Sequence, residues 1–420
     1  MDEKQFMPSS SKTHKVFYGW WIVLISMLGI ASGTAPFLFA SIGLFMLPLG
    51  EEFGWNRAQI SALLPILTVS LMIAQPLAGR LIDRVGTKVV LIPSTIAFGI
   101  GLAAIPTLVS ELWHLGLILF FLGTFGVAAN TMPYLRTIST WFDKKRGLAI
   151  GISISGIGVG YTVVPILVQY VINTAGWRSA YYILSAIVVF VTIPILLLFL
   201  KESPADIGQR ADGNPAESGN QSGVQAGLST REAIKKREFW LLVFIFICIA
   251  FALHGILIHL VPLLRDKGLN ADTAAIIASV MGGTVFVSRI FIGYLIDHYF
   301  APKVALIFFA LSALGFLLLS VSSSLVVMYM AAIMIGLSLG AEVDLLAFLC
   351  GKYFGLRSFA EIFGILFIAV LLGSSFGPVI FGYGFEAMAS YSGVLTFCVL
   401  LNLLALIIVN MLGPYPSLDK

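Results

Sequence analysis

Four ionisable side chains, Arg289, Glu342, Asp344 and His254, stand in stretches of the chain that are otherwise apolar. An arginine near the middle of a bilayer costs ~2.5–3.5 kcal/mol on insertion scales, so a charge kept there needs a partner or a task. Arg289 precedes Asp297, at the end of its apolar stretch, by eight residues. At a helical rise of about 1.5 Å per residue it lies about 12 Å inside the hydrocarbon. A guanidinium presents a two-pronged donor array that matches a carboxylate, and it stays charged in any dielectric. Arg289 is therefore the expected anion-binding residue. The competing reading is a permanent ion pair with Glu342 or Asp344 that only staples helices together.

Glu342 and Asp344 are two positions apart, a rotation of about 200° on a helix, so they cannot both face one cavity. Glu342 is expected to carry a proton and Asp344 to support it. Burial and a neighbouring guanidinium act in opposite senses on a carboxyl group, which would make protonation depend on whether an anion occupies Arg289. The plainer alternative is polar glue between helices. His254, at mid-depth, is expected to donate to the substrate or to shuttle protons; a satisfied packing histidine is the plainer reading. His259 lies nearer the end of the same stretch, before Val261-Pro262. Asn130 and Tyr134, one turn apart in an earlier apolar stretch, are expected to present further donors to the substrate. Arg136 is close enough to the end of that stretch to snorkel.

These residues must be positioned by helices in a membrane. Of 420 residues 59% are hydrophobic and only 11% charged, which excludes a secreted enzyme, a nucleic-acid binder and a peripheral membrane protein. Residues 1–16 are polar and lack a signal-peptide cleavage site, so the first apolar run is expected to remain in the bilayer. The three cysteines, Cys248, Cys350 and Cys398, fall inside apolar segments and offer neither a disulfide framework nor a zinc spacing. No metalloprotease motif, paired Asp-rich phosphate motif or nucleophile elbow is present, so neither an enzyme nor a cofactor or metal is expected.

Cutting the chain at charges, Gly/Pro clusters and serine runs yields twelve segments long enough to cross about 30 Å. They run approximately 17–47, 58–79, 89–109, 112–135, 147–172, 178–200, 239–264, 273–297, 303–320, 325–350, 358–384 and 391–413. Ser320 to Ser324 is the expected turn that divides the long uncharged stretch from Val304 to Ala341. The expected fold is an all-α polytopic membrane protein with a six-helix bundle over 17–200, a linker over 201–238, a second six-helix bundle over 239–413, and tails at 1–16 and 414–420. Only Arg57, Arg178, Arg265 and Lys267 fall in loops on one side. The positive-inside rule then puts both termini and the linker in the cytoplasm, in a plasma (cytoplasmic) membrane. The positive-inside bias accounts for the positive balance without a nucleic-acid partner, and a monomer is the expectation, although the sequence does not itself encode the oligomeric state. The linker is rich in Gly, Ser, Asn, Gln and Pro, and at its end Ser229-Thr-Arg-Glu232 is a capping box expected to start a short basic interfacial helix, Thr230 to Glu238.

The two halves repeat. Gly79-Arg-Leu-Ile-Asp83 recurs as Gly293-Tyr-Leu-Ile-Asp297, and Trp141-Phe142 with Gly151 recurs as Tyr353-Phe354 with Gly364. Six plus six related spans is the arrangement of transporters with a substrate site between two bundles near mid-membrane. Residues Gly79 to Lys88 resemble the loop signature of the major facilitator superfamily. The run from Trp141 to Gly160 resembles the fifth-span motif of its monocarboxylate transporter and oxalate/formate antiporter group, and Phe17-Tyr-Gly-Trp-Trp21 is similar to the first-span start of bacterial members.

Several expectations follow. Asp83 and Arg84, with Asp297 as counterpart, would latch one end of the bundles shut. Gly147, Gly151, Gly156 and Gly160, at four- or five-residue spacing, would let a helix face approach another backbone and slide or pack there. The resemblance implies that an arginine of the eighth span binds the substrate anion. The chain departs from the animal-type pattern, having Val285 where an acid stands one turn before that arginine, and no lysine and acid in its first span. Span eleven lacks the second cation of oxalate-exchanging members, so one cavity cation argues for one carboxylate. The expected function is a secondary transporter of a small organic monocarboxylate, coupled to protons as a symporter by alternating access. An organic-anion exchanger, or an exporter of larger apolar carboxylic acids, is the alternative.

Overall fold

Oil leaves the backbone no solvent partner, so a chain this apolar must satisfy its N–H and C=O groups within helices. A computed structural model describes residues 17–209, 211, 227–355 and 357–416, and the described residues are almost wholly helical. The tail 1–16, most of the linker interior and residues 417–420 lie outside the described residues.

The chain crosses the membrane twelve times in two bundles of six. Among the described residues, ten helical stretches are long and apolar enough to span. The other two crossings are hidden by local breaks. Residues 146–199 form one stretch of 54 residues, which Gly176, at φ 80° and ψ 167°, divides into spans five and six. Span four, read from the sequence as continuous over 112–135, is in fact two helices, Leu112–Phe125 and Thr131–Trp141, separated by irregular backbone.

That break is tolerated because its polar groups are paired. The Ala128 N–H donates to Ser94 Oγ at 2.9 Å, Ser94 donates to the Phe125 carbonyl at 2.6 Å, and Asn130 Oδ1 accepts from the Thr131 N–H at 2.8 Å.

Span one bends through a wide π turn at Ala35–Phe39, which contains Pro36, and continues as Ile42–Phe53. Span two is a short helix, Arg57–Ala62, running into Leu64–Val85, and its start is fixed by a capping box between Asn56 and Gln59. Span three is Thr87–Leu108. The second bundle is more regular: Arg237–Asp266, Ala271–His298, Ala301–Val321, Leu325–Phe354, Phe359–Met388 and Ser392–Asn410 are spans seven to twelve. The aromatic start of the chain has a packing role. Phe17 packs at a tilt on Trp141, and Trp20 edge-on against Phe142, at the end of span four, with ring centroids 5.8 and 5.0 Å apart.

The linker is tied down at both ends. Its first turn is closed by Asp206, which accepts from the Glu202 and Ser203 N–H groups, both at 3.0 Å. Glu202 then accepts from the Lys88 N–H at 2.6 Å and so caps the start of span three. At the other end the Ser229–Glu232 capping box opens a helix, but only over Thr230–Ile234 rather than to Glu238, because span seven already begins at Arg237. Thr230 donates to Glu361 at 2.5 Å and the Leu228 N–H to the Phe354 carbonyl at 2.8 Å, which seats this end on the second bundle.

Bonds between the bundles gather at the side away from the linker, called here the far side. The Arg57 guanidinium forms a two-pronged pair with Asp266, one arm at 2.8 Å, and donates to the Tyr391 hydroxyl at 3.0 Å. Ser61 meets His259 at 3.0 Å, and Asn173 donates to Asp272 at 2.6 Å. Toward the linker, Asp83 instead pairs with Arg136 of its own bundle at 3.0 Å. The far side is closed.

Candidate transport site

Span eight is an unbroken helix to His298, which holds Arg289 deep in the membrane. The Arg289 side chain is 11% exposed, and the acid paired with it is Asp344, with Nη1 and Oδ1 3.6 Å apart. That distance is an ion pair but not a hydrogen bond. Arg289 Nε is buried and has no hydrogen-bond partner among the described residues. Buried donors are normally paired, so an orphaned one on a permanent cation calls for an acceptor from outside the fold.

Span ten supplies the acids, and they diverge as their spacing requires. Asp344 turns to Arg289 with its side chain 30% exposed, whereas Glu342 is 1% exposed and turns to His254 of span seven, 3.9 Å away. His254 Nδ1 faces the Ala250 carbonyl at 3.1 Å, and a carbonyl only accepts, so Nδ1 carries the hydrogen. Glu342 Oε1 is a second orphan, buried with no donor among the described residues. Two buried groups of opposite sign, each missing a partner, therefore sit at the middle of the second bundle.

The first bundle contributes Tyr161, which the sequence reading passed over. It lies on span five, buried, within electrostatic reach of both Arg289 and Glu342. Its position follows from two close approaches. A Cβ at Gly158 would stand 2.6 Å from the Phe286 backbone, and one at Gly282 would run into the backbone of Tyr161 itself. Spans five and eight thus touch backbone to backbone across the bundle boundary. An aromatic residue inside a glycine-rich motif reads as core, and only the crossing of these two helices reveals where its ring goes.

Other expected site residues lie elsewhere. Tyr134 is buried in the first bundle with its phenol end over Gly29 of span one, packed among Ile22, Val23 and Ile138 rather than beside Arg289. Asn130 spends its side-chain oxygen as the cap of Thr131–Trp141. The one-turn spacing between Asn130 and Tyr134 put them on one face only if the helix ran through, and the break ends that relation.

The expected glycine stripe also divides. Gly156 and Gly160 pack on span one at Met27 and Pro36, inside their own bundle, while added side chains at Gly147 and Gly151 would meet nothing within 4 Å. The face toward the other bundle is that of Gly158. Arg84 and Asp297 lie exposed at the ends of spans two and eight, and Asp83 bonds within its bundle, so these three charges form no cross-bundle latch in this conformation.

The sequence profile of the Major Facilitator Superfamily matches residues 24–378, most of the chain. The chain belongs to that superfamily. It is a membrane transporter rather than an enzyme. Among named relatives it is 26% identical to human Monocarboxylate transporter 11, over 87% of this chain and 77% of that one. It is 23% identical to rat Monocarboxylate transporter 2, over 89% and 78%. The MFS-type transporter pytF of Aspergillus terreus is 28% identical over 67% of this chain and 90% of its own. In fold the chain is similar to a bacterial homolog of the human lysosomal transporter Spinster, solved in an inward-facing and unoccupied conformation, with a TM-score of 0.72, 19% identity and coverage of 94% and 97%. Superfamily membership explains the pseudo-symmetry of the two bundles.

Proposed function

We propose that the protein carries a small organic monocarboxylate together with a proton by alternating access, from a plasma membrane in which its termini face the cytoplasm. The unpartnered Nε of Arg289 carries this reading. A substrate carboxylate would take two prongs of the guanidinium and displace the loose contact with Asp344, gaining charge-assisted hydrogen bonds that the resting protein lacks. The Tyr161 phenol, from the opposite bundle, would close over the same anion, so that cargo is held by both halves. Glu342, with His254 beside it, would hold the coupled proton, and a proton on its orphaned oxygen removes a charge from the low-dielectric centre. A single cavity cation suits one carboxylate, and the similarity to monocarboxylate transporters supports the same class. The cation bias of the linker-side loops supports the cytoplasmic placement of the termini.

The test is uptake of a panel of radiolabelled mono- and dicarboxylates into proteoliposomes with an imposed pH gradient. Accumulation of a monocarboxylate on the alkaline side is expected. Accumulation indifferent to the gradient, with rapid counterflow, would make the protein an exchanger. No uptake of any carboxylate would remove the reading.

A further inference from the structure

Arg57 and Ser61 sit one turn apart on the short helix that opens span two, and both reach into the second bundle. Arg57 holds Asp266 at the end of span seven and lies over the Phe385 ring, 3.9 Å from its centroid, while its N–H donates to Glu386 at 3.2 Å. The contact continues inward without a gap. The Tyr391 hydroxyl, which accepts from Arg57, is 2.8 Å from Nδ1 of the fully buried His259, whose Nε2 faces the Pro378 carbonyl at 2.9 Å and Ser61 Oγ at 3.0 Å. The Phe381 ring stacks on the imidazole.

The tautomer is fixed by these partners. The Pro378 carbonyl can only accept, so Nε2 bears the hydrogen and Nδ1 is the acceptor of the Tyr391 hydroxyl. Every position on the ring is thus used, and used by the neutral form. We propose that Arg57, Tyr391 and His259 form a proton-responsive clasp that keeps the far side closed, and that a second ring proton on His259 releases it.

The step balances through Tyr391. A proton from far-side water adds to the phenol oxygen as the phenol passes its own hydrogen to Nδ1, leaving a neutral tyrosine and an imidazolium. Three hydrogens then converge on one oxygen: its own, that of Nδ1 and that of Arg57. Two cations now flank it where only Arg57 stood before. The other charges around the ring do not offset this. Asp266 and Glu386 are already engaged by Arg57, and Asp272 of span eight by Asn173. The helix Ile42–Phe53, which lies against span seven at Gly43 and Ile258, has its Glu52 bound to Arg178. Arg57 is the mobile member, and its departure frees both turns of the clasp.

The device opens the far side when that compartment is acidic, whatever the cargo, so it can be tested without any substrate. Ser110 and Ser323 lie exposed in far-side turns of opposite bundles, and the three native cysteines are buried. With spin labels at these two positions in nanodiscs, the wild type should gain a longer-distance population as the pH falls from about 8 to about 4, because the imidazole reached by water in the open state takes up a proton that the closed clasp has no room for. His259→Gln, which can still accept and donate, should stay closed at both pH values, and Tyr391→Phe should lose the pH response too. Arg57→Gln should be open at both. A pH response in His259→Gln equal to that of the wild type overturns the proposal, as does an Arg57→Gln variant as closed as the wild type. Thermal melting of each variant separates a misfolded protein from an unresponsive one, and a cargo panel that finds no carboxylate leaves this outcome untouched.

Discussion

Arg289 and Asp344 stand 3.6 Å apart across spans eight and ten, close enough to share charge and too far to share a hydrogen. An ion pair built only for strength would close that gap, because desolvated charges recover their cost through well-made hydrogen bonds. The open geometry leaves the guanidinium free to exchange its partner.

Replacement of that cation should therefore abolish transport without unfolding the protein. Arg289→Gln is expected to lower carboxylate uptake by about 100-fold, equivalent to ~3 kcal/mol of charge-assisted bonding. Arg289→Lys should recover little of it, since an ammonium lacks the planar fork. Initial rates in proteoliposomes measure both, and uptake within about twofold of wild type in Arg289→Gln would dismiss the residue.

Coupling should separate from carriage at Glu342. Glu342→Gln keeps the shape and removes the proton, so accumulation driven by a pH gradient should vanish while carboxylate-for-carboxylate exchange partly survives. Gradient-driven accumulation at the wild-type level would assign the proton elsewhere.

The crossing of spans five and eight should tolerate no side chain. A Cβ at Gly158 would stand 2.6 Å from the Phe286 backbone. Gly158→Val is thus expected to cut uptake at least about tenfold, in line with overpacking penalties of ~1–3 kcal/mol. Gly151→Ala, whose methyl meets nothing within 4 Å, is the control and should transport normally. Equal activity in the two variants would show that the contact is not needed for the transport cycle.

Acid should selectively loosen the start of the linker. Hydrogen bonds from the Ser203 backbone and hydroxyl and from the Glu202 backbone hold the Asp206 carboxyl below its ordinary value. Its contribution is therefore complete above the usual carboxylate range and is lost as pH falls through the depressed value. Asp206→Ala should melt about 1–2 °C lower than wild type near neutrality, as for loss of a helix-type cap. The difference should close in strong acid, and a gap that persists at pH about 2 would contradict the linkage.

The positions of Arg289, Glu342, Asp344 and His254 were legible because an intramembrane charge is costly wherever it points. Their partners follow from helix rotation, which a spacing of two residues settles for Glu342 and Asp344. Phase was not legible where the helix breaks. Irregular backbone between Phe125 and Thr131 reset the face of Tyr134, and a shift of two residues within the glycine motif moved the cross-bundle contact from Gly156 to Gly158. Arg57 was read as a topology charge in a loop, since nothing in the sequence tells which bundle an outer cation will meet. The count of twelve crossings was legible despite both breaks, because hydrocarbon thickness sets length and is indifferent to a kink.

Gly176 joins spans five and six through a single left-handed residue, without the run of loop found at the linker. A joint so short stores no slack, so the two helices tilt as one stiff hairpin. Any rocking that rolls the Gly158 face over Phe286 must swing the sixth span through the surrounding lipid by a comparable angle, and the thickness and stiffness of the membrane thereby become a mechanical load on the transport cycle.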